Sequence, residues 1–196
     1  AYNIFASNGI LFNHESPRRG RTFVTKKITS TLAKIYFGLE NELLLGNLDS
    51  LRDWGHAKDY AEMQWKILQY KKPEDFVIST DFQCSVREFA EKTAKHLGFE
   101  ILWKGKGLKE KGIVGKIKKK ISKFSKIKKG DKIISVNKNY FRPLDVENLW
   151  GDSSKARKIL KWKPKYSLDS LVKEMINLDI DEAYKEFRIK HLDAKE

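Results

Sequence analysis

Strand-like and helix-like segments alternate along this chain of 196 residues, and the alternation predicts an α/β fold. Apolar and β-branched residues cluster in short runs, which predict buried strands. The predicted strands are residues 2–12, 43–45, 76–80, 101–103 and 132–136. Between these runs the apolar residues recur at helical spacing, which predicts amphipathic helices.

The predicted helices are recognised by their ends as well as by their spacing. They cover residues 22–37, 56–70, 85–96, a short segment through 160, and a long final segment from 167. Ser85 and Glu88 have the spacing of a capping box that starts the third helix, and Gly98 ends that helix. Asp152 or Ser153 can cap the fourth helix.

The composition excludes several classes of protein. An apolar share of 40% indicates a folded chain. The single cysteine, Cys84, excludes a disulfide framework and a cysteine-based zinc site, and the four histidines lack the spacing of metal ligands, so we expect no metal. No apolar run approaches the length of about 20 residues that crosses a bilayer. We therefore expect no membrane association and a cytoplasmic location.

The net charge of +14 is concentrated in one segment. Residues 104–138 contain fourteen lysines but only two acidic residues, Glu110 and Asp131. Few aromatic residues accompany these lysines, so the stacking platform of a nucleic-acid-binding surface is not predicted. We interpret residues 104–132 as a basic insertion that is solvated or binds locally. Its glycines at 105, 107, 112 and 115 are expected to be loop glycines and not a dinucleotide-binding motif.

The first candidate site runs from Asn8 to Val24, where a predicted strand ends in a basic loop. The loop reads Asn13-His14-Glu15-Ser16-Pro17-Arg18-Arg19-Gly20. Two adjacent arginines in such a loop are, taken alone, surface charges. Ligands nevertheless bind where strands end in open α/β sheets, and arginine can hold a phosphate with two parallel hydrogen bonds.

Two further motifs follow along the chain. One is the triplet Arg52-Asp53-Trp54 before the second helix, in which Asp53 could cap the helix and Trp54 could pack beneath it. The other begins with Tyr140-Phe141-Arg142-Pro143 and continues through a short capped helix to Trp162-Lys163-Pro164. The second half of this motif is expected to be structural, because proline stops the helix.

Together these stretches resemble the GDP-mannose 4,6-dehydratase branch of the extended short-chain dehydrogenase/reductase family. The resemblance covers the whole chain except the basic insertion. It implies the C-terminal part of such an enzyme: the end of the NAD(P)-binding Rossmann sheet in residues 1–14, and mainly the smaller substrate-binding lobe in residues 15–196. The family's catalytic Thr or Ser, Glu, Tyr and Lys are then expected to precede residue 1. No catalytic residue is assigned, and this chain alone is expected to be inactive.

The resemblance also implies the ligands. It implies NADP as cofactor, held in part by His14 and Arg19. It implies GDP-mannose as substrate, with contacts from Asn8, Thr22, Val24, Lys27, Arg52, Arg142 and Glu147. It implies that in the complete enzyme hydride leaves C4 of the sugar for NADP, water is eliminated across C5–C6, and hydride returns to C6, which is the reaction of a carbon–oxygen lyase. The family further implies a homo-oligomer, and nucleic acid is not an expected partner.

Two other functions remain open from the residues alone. A sibling GDP-sugar reductase or epimerase would use the same scaffold, and the residues expected before residue 1 would distinguish it. A non-catalytic protein that binds nucleotides or nucleic acid through its basic segment is the second alternative, and its binding would depend strongly on salt.

Overall fold

The structure is a computed structural model that describes residues 2–142, 144 and 146–191. Within these residues the secondary structure is mixed, as the sequence predicts. The strands are β1 (Gly9–Leu11), β2 (Asn13–Glu15), β3 (Leu43–Leu45), β4 (Leu51–Arg52), β5 (Trp54–His56), β6 (Phe76–Ile78), β7 (Cys84–Ser85), β8 (Phe99–Lys104), β9 (Lys111–Ile117) and β10 (Lys132–Val136). The helices are α1 (Val24–Tyr36), α2 (Ala57–Leu68), α3 (Val86–His96), α4 (Ser154–Leu160) and α5 (Leu168–His191), with a 3-10 turn at Gly107–Lys109.

The chain divides into two compact units, each assembled from three separate segments. The first unit comprises the residues up to Ser16, Leu51–Cys84 and Glu147–Leu171. The second unit comprises Pro17–Ser50, Ser85–Val146 and the residues from Val172 onward. The predicted division between residues 14 and 15, which separates a Rossmann core from a substrate-binding region, stays a prediction.

The first unit is built on two pairs of parallel strands. β1 pairs with β6, from Gly9 opposite Phe76 to Leu11 opposite Ile78, and β2 pairs with β5. Helix α2 contributes to one buried cluster with β6 and the segment around α4. The cluster consists of Tyr60, Met63, Ile67, Phe76, Ile78, Ala156 and Trp162. Because paired strands run in the same direction, their carboxyl ends lie at one edge, and that edge is where ligands bind in parallel sheets.

The second unit contains a four-stranded sheet in the order β3-β10-β9-β8. β3 and β10 are parallel, whereas β9 is antiparallel to both of its neighbours. Helices α1 and α3 bury apolar side chains that include Ile28, Leu32 and Phe89. Leu43 and Ile134 of the sheet are fully buried as well, so this unit has its own hydrophobic core.

The basic segment contains a strand, and the prediction that all of its named glycines lie in loops is wrong at two positions. Within residues 104–132 lies β9, which is paired on both sides, with β8 and with β10. Gly112 and Gly115, expected to be loop glycines, are strand residues of β9 and are buried. A Cβ at Gly112 would lie 3.0 Å from Cβ of Ile134, so the close packing of neighbouring strands favours glycine there.

The loop between β9 and β10 also differs from a freely solvated segment. The Ser122 amide donates a hydrogen bond to the Tyr36 hydroxyl at 3.1 Å. The Phe124 ring contacts the Phe187 ring, with centroids 5.5 Å apart. Most lysine side chains of this loop are nevertheless exposed. The loop is therefore anchored by a few contacts and presents its charge to solvent.

The first predicted strand is much shorter than expected. Residues 2–12 were expected to form one buried strand, but β1 covers only Gly9–Leu11. Tyr2, Ile4 and Phe5 are exposed. Within the described residues no strand pairs with residues 2–6, so their apolar side chains have no sheet to be buried in.

The helices begin and end close to the predicted positions. The capping box of α3 is present: the Glu88 amide donates to Ser85 Oγ at 3.1 Å, and the Ser85 amide donates to Glu88 Oε2 at 2.8 Å. Gly98 follows α3 with φ of +88°, the left-handed geometry that favours glycine. At α4, Ser153 occupies the N-cap position, but Asp152 accepts the helix's first amide at 2.8 Å. No helix in the described part of the chain has the length and apolar composition needed to cross a bilayer.

Candidate functional site

His14 lies in the middle of β2 in the first unit, and its ring is held on two sides. Nδ1 lies 2.8 Å from the carbonyl oxygen of Phe12, which can only accept, so Nδ1 carries the proton. The ring stacks on Tyr60 with centroids 4.9 Å apart. The Tyr60 hydroxyl is buried and has no hydrogen-bond partner among the described residues. With Nδ1 donating to the Phe12 carbonyl, Nε2 is the ring nitrogen that can accept a hydrogen bond, and its orientation is fixed.

Arg52 ends β4, and the buried Asp53 beside it braces a neighbouring loop. Arg52 Nη1 donates to the Leu51 carbonyl at 2.8 Å. The Asp53 carboxylate accepts hydrogen bonds from the Thr80 amide at 2.9 Å, the Thr80 hydroxyl at 2.7 Å and the Asp81 amide at 2.9 Å. Burial raises the pKa of Asp53, and these hydrogen bonds oppose that shift. Asp53 thus fixes the loop that follows β6.

The cap of α2 is His56, so the capping role considered for Asp53 is wrong. Nδ1 of His56 accepts a hydrogen bond from the Lys58 amide at 3.1 Å. The ring of His56 stacks on Tyr166 with centroids 4.1 Å apart. Trp54 is buried in β5, as its expected structural role requires.

Asp81 is the centre of a polar network that the sequence analysis missed. It adopts φ of +60°, an unusual geometry for a residue other than glycine. Its carboxylate accepts from Ser79 Oγ at 3.0 Å and Ser153 Oγ at 3.0 Å, and it pairs with Arg157 at 2.8 Å. Arg157 also donates to the Thr80 carbonyl at 3.1 Å. No local sequence signal reveals this network, because Ser153 lies 72 residues from Asp81 along the chain.

Asn8, predicted to contact the substrate, is bound to Asp75 in this structure. The Asn8 amide donates to Asp75 Oδ1 at 2.7 Å, and Asn8 Nδ2 donates to Oδ2 at 3.1 Å. These two hydrogen bonds, first the backbone one and then the side-chain one, lower the pKa of Asp75. The carboxamide oxygen of Asn8 remains the group through which it could contact a ligand.

Glu147 lies beside the strand that carries Arg52. Its carbonyl oxygen accepts a hydrogen bond from the Leu51 amide at 2.8 Å, and its side chain is exposed. An isolated bridge between Leu51 and Asn148 continues this pairing. Two of the predicted substrate residues, Arg52 and Glu147, therefore belong to adjacent segments of the first unit.

In the second unit, Thr22 and Val24 lie at the N-terminal end of α1. The N-cap residue, Phe23, makes no side-chain capping bond, and the first turn contains no acidic residue. Such an end presents amide groups and the positive end of the helix dipole, which suit an anion. The guanidinium of Arg19 stacks on the Phe23 ring, 3.5 Å from its centroid. Arg19 and the helix end thus belong to one basic region.

One turn into α1, Lys27 lies over an aromatic ring. Its Nζ is 3.3 Å from the centroid of Tyr140. The Tyr140 side chain is 51% exposed. Lys27 itself is half-buried. The ammonium is therefore held against a ring and keeps access to solvent.

Arg142 is placed by a pair of hydrogen bonds to one side chain. Its amide donates to Asn47 Oδ1 at 3.0 Å, and Asn47 Nδ2 donates to its carbonyl at 3.0 Å. Gly46 approaches the same turn closely, since a Cβ there would lie 2.0 Å from the Tyr140 carbonyl oxygen. The Arg142 side chain is exposed. Pro143, the next residue of this predicted motif, lies outside the described residues.

Asn47 and Tyr140 are functional candidates that were not assigned from the sequence, although Tyr140 stands in one of its motifs. The Gly46-Asn47 pair gave a signal, because glycine beside a polar amide is typical of a tight approach between segments. The contact with Lys27 had no such signal, since it joins residues far apart in the sequence. Among the described residues no group of His, Cys, Asp and Glu could hold a metal ion.

The fold is that of the extended short-chain dehydrogenases/reductases. The chain superposes on the RMD protein of Pseudomonas aeruginosa, solved with NADPH, with a TM-score of 0.66 and 15% identity, covering 89% of this chain and 48% of that one. It superposes on the dTDP-glucose 4,6-dehydratase of Bacillus anthracis, solved with NAD, with a TM-score of 0.61 and 15% identity, covering 92% and 45%.

The sequence narrows this class to one family. The sequence model of the GDP-mannose 4,6 dehydratase family matches residues 1–175, and the chain belongs to that family. It is 54% identical over 183 residues to a GDP-mannose 4,6-dehydratase of Vibrio cholerae serotype O1, covering 93% of this chain and 48% of the relative. The chain thus spans about half the length of the curated relatives it matches. The resemblance inferred from the three motifs is confirmed, while the individual ligand residues stay predictions.

Proposed function

We propose that this chain is the substrate-binding part of a GDP-mannose 4,6-dehydratase. The complete enzyme would convert GDP-mannose to GDP-4-keto-6-deoxymannose and water, a carbon–oxygen lyase reaction. The observation that carries the proposal is the family match over residues 1–175, because all nine predicted ligand residues lie inside it.

On the substrate side, both units contain residues that are predicted to contact a nucleotide sugar. In the second unit, the amides at the start of α1, the ammonium of Lys27 and the guanidinium of Arg142 suit a diphosphate. In the first unit, Arg52 would bind phosphate, and Glu147 and Asn8 would accept or donate hydrogen bonds to sugar or base. These residues bind and orient; their effect on rate would come through positioning.

On the cofactor side, the residues present fit part of a nicotinamide dinucleotide. His14 has an oriented acceptor nitrogen above a buried phenol, and Arg19 has a guanidinium fixed on an aromatic ring. A hydroxyl group suits the first and a phosphate suits the second. We propose NADP as the cofactor. When bound, it would accept hydride from C4 of the sugar and return hydride to C6. The reactive Thr or Ser, Glu, Tyr and Lys would come from sequence before residue 1, and the complete enzyme would be a homo-oligomer.

Calorimetry with GDP-mannose tests the binding part of this proposal. We expect the chain to bind GDP-mannose, and we expect Arg52→Ala and Arg142→Ala each to weaken binding by about tenfold to a hundredfold, since each removes a charge-assisted contact to phosphate. Lys173→Ala, which removes an exposed charge from α5, is the matched control and should leave the dissociation constant unchanged. Equal binding by the two arginine variants and the wild type would contradict the assignment.

A chimeric enzyme tests the activity. The N-terminal half of the Vibrio cholerae relative, joined to this chain, should convert GDP-mannose to a product lighter by one water, as measured by mass spectrometry. This chain alone should give no product. A chimera that folds and binds GDP-mannose but only epimerises or reduces it would favour the sibling enzymes instead.

A further inference from the structure

One turn of the chain contains both a contact of Lys27 and the residue Arg142, the two predicted phosphate ligands of the second unit. The Tyr140 ring in this turn contacts Lys27, and Arg142 follows two residues later. The Tyr140 amide donates to the Asn137 carbonyl at 3.0 Å, which closes the turn before Tyr140. Gly46 lets the neighbouring loop approach the Tyr140 main chain closely. The backbone that carries the Tyr140 ring is therefore fixed on two sides, and it leads directly to Arg142.

The ring of Tyr140 can hold the Lys27 ammonium in place without neutralising its charge. A lysine side chain loses about 2 kcal/mol of rotamer entropy when it is fixed. A carboxylate could fix the ammonium, but it would also cancel the charge that a phosphate needs. Within the described residues no carboxylate forms an ion pair with Lys27. An aromatic face attracts the ammonium by its quadrupole and adds no negative charge.

We propose that Tyr140 is a positioning residue, which holds the Lys27 ammonium ready for a phosphate of the ligand. The inference rests on the proposed function, because it assumes that a nucleoside diphosphate is the ligand. It adds a residue that the family resemblance did not assign. Lys27 is only half-buried, so its ammonium keeps the access to solvent that an incoming anion needs.

Binding of GDP to the chain, measured by calorimetry, tests the proposal with two variants of Tyr140. Tyr140→Phe keeps the ring and should bind GDP within about twofold of wild type, whereas Tyr140→Leu should bind about three- to tenfold more weakly. Proton NMR provides an independent readout: the ring current should shift the Lys27 side-chain protons upfield in wild type and in Tyr140→Phe, but not in Tyr140→Leu. Circular dichroism checks that each variant folds.

A double-mutant cycle separates positioning from a direct or structural role. If Tyr140 acts through Lys27, then Tyr140→Leu should add no further loss of GDP affinity in a Lys27→Met background. An equal loss in both backgrounds, or a Tyr140→Leu variant that binds as wild type does, would overturn the inference while leaving the proposed function intact. A wild-type chain that fails to bind GDP would overturn the proposed function and this inference with it.

Discussion

The absence of a side chain at Gly46 allows two segments of the chain to approach closely. An alanine at this position would bring its Cβ within 2.0 Å of the Tyr140 carbonyl oxygen, so the turn that carries Arg142 would have to move. We expect Gly46→Ala to destabilise the fold by about 1–3 kcal/mol, as overpacking does, and to weaken GDP binding. Urea unfolding and calorimetry measure the two effects.

Gly9→Ala is the matched control for this variant. Its Cβ would meet only ordinary contacts, the nearest 3.5 Å away at Leu11. If the free energy of unfolding of Gly46→Ala were the same as that of Gly9→Ala, the predicted overpacking at Gly46 would be contradicted.

Asp75 should make the attachment of the N-terminal segment sensitive to acid. Its pKa is lowered by hydrogen bonds from Asn8, so the folded carboxyl loses its proton more readily than the unfolded one. The resulting stabilisation is present above the ordinary carboxyl pKa of about 4 and is lost as pH falls through the lower folded value. Melting temperatures of wild type and Asn8→Ala should therefore differ above this window and converge below it. A difference that persists at the lowest pH would contradict this account.

At the residue scale, the candidate site was predictable where a motif is continuous in the sequence. Arg52 and Arg142 were predicted as ligand residues because each stands in a recognisable triplet or pair. Asn47 and Tyr140 were not assigned, because their roles come from contacts across many residues. The same holds for Asp81, whose partners Ser153 and Arg157 come from a distant segment of the first unit.

At the element scale, helices α1 and α5 are joined by a buried ion pair. Lys26 Nζ lies 2.5 Å from Asp179 Oδ1, and the two side chains are only 4% and 1% exposed. Burial raises the pKa of Asp179, and the hydrogen bonds from Lys26 and Thr29 oppose the shift. Asp179 lies beyond residue 175, where the family match ends.

Replacing one member of this ion pair should lower the free energy of unfolding more than replacing both members. We expect Asp179→Leu to destabilise the chain by about 3–5 kcal/mol, because it leaves the Lys26 ammonium buried without its partner. The double variant with Lys26→Met should recover most of that loss. Lys190→Met, which removes an exposed pair with Glu186, should change stability by less than about 1 kcal/mol. Urea unfolding of the four proteins provides the measurement, and a double variant no better than Asp179→Leu would contradict the prediction.

Strand β9 explains why the sequence analysis misjudged the basic segment. Glycine and lysine are both poor indicators of a strand, and β9 contains two of the first and two of the second. Its position is decided by tertiary packing, since Gly112 lies against Ile101 and Ile134 of the neighbouring strands. The helices were predicted well because their caps and spacing are local features. Pairing between strands is not local. The sequence therefore did not predict β9, and it predicted a first strand longer than the one observed.

For the whole molecule, the net charge of +14 favours binding to polyanions. Four exposed lysines of the β9–β10 loop, at 119, 120, 128 and 129, can be changed to glutamine together. We expect this variant to elute from heparin at lower salt and to bind GDP as wild type does, because the predicted ligand residues lie elsewhere. A parallel loss of GDP affinity would show that the basic segment belongs to the ligand site.

The parallel pairing of β3 with β10 has a consequence for the order of folding. The hairpins β8–β9 and β9–β10 join segments close together in sequence and can form early. Leu43 pairs with Ile134, about 90 residues away, so β3 can join only after a long loop has closed. Until then the edge of β10 is open to another chain, and the nascent protein is most prone to aggregate during that interval.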